Sequence, residues 1–125
     1  MAGDPTFAIP ARPQRSYSYD GVEYEGSTVF RLEPSPERST GRLADLVASV
    51  LEAGPYRYGD FLELPMPLYL VRDDGTGDVF RVSVRDGTVR LHVLPETESA
   101  GLRAIYDRID ARSDADWHVD CRTDP

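Results

Sequence analysis

Val79-Phe80-Arg81-Val82-Ser83-Val84-Arg85-Asp86-Gly87-Thr88-Val89-Arg90-Leu91-His92-Val93 decides the fold of this chain. Apolar and polar residues alternate on both sides of Asp86-Gly87, a dipeptide suited to the two positive-φ positions of a type I′ turn. A two-residue loop there sets Val84 opposite Val89, Val82 opposite Leu91 and Phe80 opposite Val93. Turn chemistry and hydrophobic pattern thus demand the same register. The reverse face of the same pairing lines up Arg85 with Thr88, Ser83 with Arg90, and Arg81 with His92. Leu68 to Val71, ahead of a turn over Asp73 to Asp78, is expected to add a third strand.

Toward the C-terminus, Leu102, Ile105, Tyr106 and Ile109 recur at spacings of three and four, which predicts a helix. Thr97 or Ser99 would cap it, with Glu96 and Glu98 at the positive end of its dipole and Arg103, Arg108 and Arg112 toward the negative end. Ala115, Trp117, Val119 and Cys121 then alternate with Asp116, His118 and Asp120, as in a strand whose first set faces the core. Toward the N-terminus, Leu43, Leu46, Val47, Val50 and Leu51 predict another helix. It would start at Ser35-Pro36 or at Ser39 and close at a left-handed Gly54 before Pro55. An edge strand is expected near Phe61 to Leu64. Asp20-Gly21 predicts a hairpin pairing Tyr19 with Val22 and Tyr17 with Tyr24, and Thr28, Phe30 and Leu32 continue as a third short strand with Val29 and Arg31 on its other side. Residues 1–15, with three prolines and few apolar side chains, read as a flexible tail, residues 16–122 as a single domain and 123–125 as a short polar end.

Strands, helix, meander, helix, strand is the order of an α+β fold: a largely antiparallel sheet with two amphipathic helices packed on one face. Two helices cover one side only. The other is left to water or to a partner, as antiparallel sheets permit.

The chain contains no lysine; its 14 basic residues are all arginine and stand against 22 Asp and Glu, for a net charge of −8. At molar ionic strength the Debye length falls to roughly 3 Å, so a crowded acidic surface stops repelling itself while its carboxylates hold water and cations. In this composition the chain resembles the small acidic cytoplasmic proteins of halophilic archaea, a resemblance that implies a habitat and no activity. An arginine-for-lysine exchange under a GC-rich genome gives the same count. No apolar stretch approaches the roughly 18 residues of a membrane span, and no apolar signal core follows an early positive charge, so a cytoplasmic location without membrane contact is expected. One cysteine, Cys121, forms no internal disulfide. Double-stranded nucleic acid is not an expected partner, since phosphate binding needs concentrated positive charge.

Absence of lysine excludes a Walker loop, a Schiff-base amine and a lysine general base; G-x-S-x-G, H-E-x-x-H and paired C-x-x-C are also missing. His118, Asp120, Cys121 and His92 contain zinc-ligating groups, but strand alternation turns Cys121 away from His118 and Asp120, and no metal or other cofactor is expected. Cys121 reads as a packed core thiol. Asp73 to Asp78 lacks the length and closing glutamate of an EF-hand and reads as a turn. Tyr17, Tyr19 and Tyr24 read as strand cover rather than a base-stacking platform.

The stripe of Arg81, Arg85, Arg90 and His92 is the candidate site, because it concentrates positive charge in an acidic protein. Guanidiniums there suit carboxylate or phosphate contacts. The competing expectation is that Asp116 and Asp120 lie beside them and neutralise them. Three functions follow in order of preference. The first is a non-enzymatic binding or adaptor domain that meets a protein partner, or a second copy as a homodimer, through the bare sheet face. The second is a domain whose Arg/His-lined pocket takes a small anionic ligand, with His92 as the group titrating near neutrality if the domain is hydrolytic. The third is a winged-helix nucleic-acid binder using residues 39–53 as recognition helix.

Overall fold

A computed structural model describes residues 6–11, 13–18, 21–25, 27–60 and 68–124. Its elements are β1 (Gln14–Ser18), β2 (Gly21–Glu25), β3 (Ser27–Ser35), α1 (Thr40–Ala53), β4 (Tyr56–Asp60), β5 (Leu68–Asp73), β6 (Val79–Arg85), β7 (Thr88–His92), α2 (Ser99–Ala111) and β8 (Asp116–Asp124). β1 and β2 form a two-stranded sheet; the other strands form a six-stranded sheet in the order β4-β5-β6-β7-β3-β8. Every pairing is antiparallel. The fold is α+β.

The decisive hairpin forms in the expected register, Val84 facing Val89, Val82 facing Leu91, Ser83 facing Arg90 and Arg81 facing His92. Asp86 at φ 51° and Gly87 at φ 72° supply the two positive-φ positions. From there the sheet grows by non-local pairing. β3 inserts between β7 and β8, setting Phe30 between Leu91 and Cys121, and Arg31 between Arg90 and Asp120. One face carries Phe30, Leu32, Val71, Phe80, Val82, Val84, Val89 and Leu91, all essentially without solvent contact. Leu43, Val47, Val50 and Leu51 of α1, and Leu102, Ile105, Tyr106 and Ile109 of α2, close over it. Each large apolar side chain so enclosed contributes roughly 1.5–3 kcal/mol.

Several local expectations are corrected. α1 starts at the later of its two candidate caps: the Ser39 hydroxyl accepts from Arg42 N at 3.2 Å. Gly54 is extended rather than left-handed, at φ −89°, because the chain passes straight into β4. Glycine is needed there for space, since a Cβ would run into the Tyr56 ring. Neither Thr97 nor Ser99 caps α2. Asp78, in the turn before β6, does so across the fold, its two carboxylate oxygens accepting from Glu98 N and Gly101 N at 2.7 Å each. A carboxylate that satisfies two free amides at the positive end of a helix outcompetes a local hydroxyl. Thr97 instead bridges Leu94 N and the Val79 carbonyl.

The first hairpin pairs Tyr17 with Val22 and Arg15 with Tyr24, a register two residues away from the expected one, with Ser18 and Gly21 closing the turn. The two registers keep the same residues on the same face, so hydrophobic alternation does not distinguish them. Tyr19 and the strand expected near Phe61 to Leu64 lie outside the described residues. The strand expected over Thr28 to Leu32 forms and belongs to the six-stranded sheet. Phe7, inside the expected tail, is buried against Phe30 and Tyr106 at centroid distances of 5.2 and 5.4 Å, and the Phe7 carbonyl accepts from the Ser99 hydroxyl. Its ring offsets the ordering cost that the composition of residues 1–15 alone would leave unmet.

Candidate functional site

Arg81, Arg85, Arg90 and His92 all stand on the face of the sheet away from the helices, as β6 and β7 alternation requires. The non-local pairings enlarge this stripe into a field. Arg31 of β3 sits directly between Arg90 and Asp120; Val29 sits between His92 and Arg122 of β8; Arg57 and Arg72 face each other on β4 and β5. Seven of the chain's 14 arginines therefore lie on this one face.

Few carboxylates there contact the guanidiniums: Glu33 and Asp116 share the face toward its β3–β8 corner but make no ion pair with these arginines among the described residues. Asp74 serves both Arg57 at 3.1 Å and Arg72 at 3.9 Å. Asp86 serves Arg85 at 3.5 Å and Arg90 at 4.0 Å. Asp120 pairs with Arg31 at 3.7 Å, and among the described residues Arg81 and Arg122 have no carboxylate partner. Neutralisation of the stripe by Asp116 and Asp120 is thus not what the fold provides. β3 lies between β7 and β8, so Asp120 meets Arg31, while Asp116 pairs in register with Ser35 at the far corner. Like charges directly across a ladder oppose folding, yet Arg31 faces Arg90 and Arg57 faces Arg72.

Part of this face is concave. Ser27, Val29, Arg31, Arg90, His92, Arg122 and Thr123 line a cleft of about 500 Å³ over β7, β3 and β8. Val29 forms an apolar floor and the three guanidiniums, drawn from three adjacent strands, form the walls. Arg31 Nε and Asp120 Oδ1 are buried without a hydrogen-bond partner.

His92 does not titrate near neutrality. Burial, then Arg81 and Arg90, lower its pKa from 6.5 to about 4, and its Nε2 is hydrogen-bonded to the Ser83 hydroxyl at 2.7 Å. The imidazole is neutral at pH 7 and serves as a hydrogen-bonding wall rather than as an acid. Ser83 is only 4% exposed, which removes it as a nucleophile despite this contact.

The other candidates disperse. His118 and Asp120 share the arginine face while Cys121 follows Trp117 and Val119, and no three metal-ligating side chains come together among the described residues. Cys121 is exposed, not packed in the core: β8 is an edge strand, and cover declines along it from buried Ala115 through partly buried Trp117 and Val119. Partial burial of its sulfur, and the Asp120 carboxylate to a lesser degree, still hold the thiol above its ordinary pKa despite a hydrogen bond from Thr123. Asp73 organises its turn, accepting from Gly75 N and Thr76 N. α1 packs its apolar stripe on the sheet, and no helix precedes it among the described residues, so the helix pair that a winged-helix reader needs is not there. A smaller depression of about 280 Å³ near Trp117 is lined by Arg38, Arg42 and Arg112, but there Arg38 is held by Asp114 at 3.1 Å.

Arg31 and Arg122 are the site residues that local pattern did not reveal. Their alternation marked them as outward-facing; only the β7-β3-β8 pairing brings them to Arg90 and His92. No protein family, curated protein or solved structure matches the chain. No helix among the described residues is long and apolar enough to cross a membrane.

Proposed function

We propose that this chain is a non-enzymatic binding module that holds an acidic surface of a partner protein on the arginine-bearing face of its sheet. One observation carries the reading: three carboxylates, Asp74, Asp86 and Asp120, are shared among five of the seven guanidiniums on that face, and among the described residues Arg81 and Arg122 are left over. An acidic protein surface is the complement to that excess. Against a net charge of −8, so local a surplus of positive charge has to be offset by an acidic excess elsewhere on the molecule. The composition supports a cytoplasm of concentrated salt, where screening leaves only contact-range attraction and favours planar guanidiniums, which grip carboxylates bidentately, over lysine point charges.

The test uses an oligoglutamate peptide as probe. Arg81→Ala with Arg90→Ala is expected to weaken its binding by about 100-fold, two charge-assisted contacts at roughly 1.5 kcal/mol each. Undiminished binding, with the folded spectrum intact, overturns the proposal.

A further inference from the structure

We infer that the cleft formed by Arg31, Arg90, Arg122 and His92 is a binding site for a phosphate monoester. The inference deepens the proposed function, on which it rests for the openness of the arginine face. Three observations converge. First, the guanidiniums come from three neighbouring strands and line one cleft together with Ser27 and Thr123. A carboxylate has one plane and satisfies one fork; a tetrahedral group offers three terminal oxygens in three directions. Second, Asp120 meets Arg31 and Asp86 is divided between Arg90 and Arg85, so guanidiniums outnumber the carboxylates that contact them and, among the described residues, Arg122 in the cleft and Arg81 beside it stay unpaired, a positive excess suited to a multiply charged anion. Third, about 500 Å³ over the Val29 floor exceeds what one phosphate group fills and falls within the range of small-molecule sites, so the group arrives attached to something. Arg31 and Arg90, directly opposed across the ladder, form a like-charge pair that such an anion relieves. His92, neutral and fixed by Ser83, adds hydrogen-bonding capacity without adding charge.

The monoester can be free or carried on the partner's surface, and the chemistry is the same. Binding of free O-phosphoserine, of a phosphoserine-containing acidic peptide and of its unphosphorylated counterpart is compared on the full chain and on Arg122→Ala. Arg122→Gln serves as a second variant. Both changes fall on an exposed edge strand, and amide spectra verify folding. The expected result is a loss of about 10- to 100-fold in O-phosphoserine affinity in both variants, one charge-assisted contact, and a smaller loss for the unphosphorylated peptide, whose carboxylates spread over the whole arginine face. Equal affinity for the two phosphorylated probes assigns a free small molecule, and a tighter phosphopeptide assigns a phosphorylated partner; either supports the site. Absence of O-phosphoserine binding, binding indifferent to Arg122, or a phosphorylated peptide bound no better than its unphosphorylated form overturns it. If O-phosphoserine binds in an Arg122-dependent way while the unphosphorylated peptide does not bind at all, the partner-surface proposal falls and the cleft stands.

Discussion

His92 lies against Ser83 and between the fields of Arg81 and Arg90, and its burial makes protonation costly in the folded chain. The unfolded histidine protonates near 6.5, the folded one near 4. Below the higher value the unfolded state binds the extra proton, so the contribution of His92 to stability is present above pH 6.5 and is lost as pH falls toward 4. The loss amounts to roughly 2–4 kcal/mol. Urea midpoints at pH 7 and pH 4.5 should therefore fall more steeply in the parent chain than in His92→Gln; parallel curves would exclude this role. Asp78 provides a second residue-scale test. Asp78→Ala removes both acceptors from the start of α2 and should cost about 2–3 kcal/mol. Gly101→Ala drives a Cβ into the Asp78 side chain and should cost about the same. Because both disrupt one contact, the double variant should lose much less than the two losses combined, by denaturation with unchanged m-value.

The β6–β7 hairpin was legible because two independent signals coincide within 15 residues: apolar–polar alternation and the Asp86-Gly87 turn. Both helix stripes were legible for a similar reason, since period 3.6 recurs several times within each. What failed were features decided by partners distant in sequence. Asp78 caps α2 from 20 residues before Glu98, and no local cap signal reports that. The residues that β3 and β7 pair lie 57 or more positions apart in the chain, so the arrival of Arg31 beside Arg90 could not be read from either strand. The first hairpin slipped by two residues because only turn preference separated its registers. At this scale the turn glycine is the point of leverage. Gly87→Ala places a side chain at φ 72°, with its Cβ 3.4 Å from the Arg38 carbonyl, and should lower stability by about 1–2 kcal/mol while preserving the Val84–Val89 pairing in nuclear Overhauser spectra. Loss of that pairing would show that the turn, rather than the apolar faces, holds the register.

Across the whole molecule, the chain carries −8, yet half of its arginines share one side of one sheet. Two consequences separate cleanly. Acidic self-repulsion is relieved by screening, so melting temperature should rise from dilute buffer to molar KCl; a flat or falling series would remove the salt-adapted reading. The arginine face, by contrast, attracts acidic ligands most strongly in dilute salt. The most direct measurement of its role is a titration of the isotope-labelled chain with oligoglutamate peptide, following arginine Nε–H signals. Shifts are expected at Arg31, Arg81, Arg90 and Arg122 and none at Arg103, Arg108 or Arg112 of the helical side; shifts centred on the helical arginines, or no shifts at all, would show that the sheet face does not bind acidic ligands.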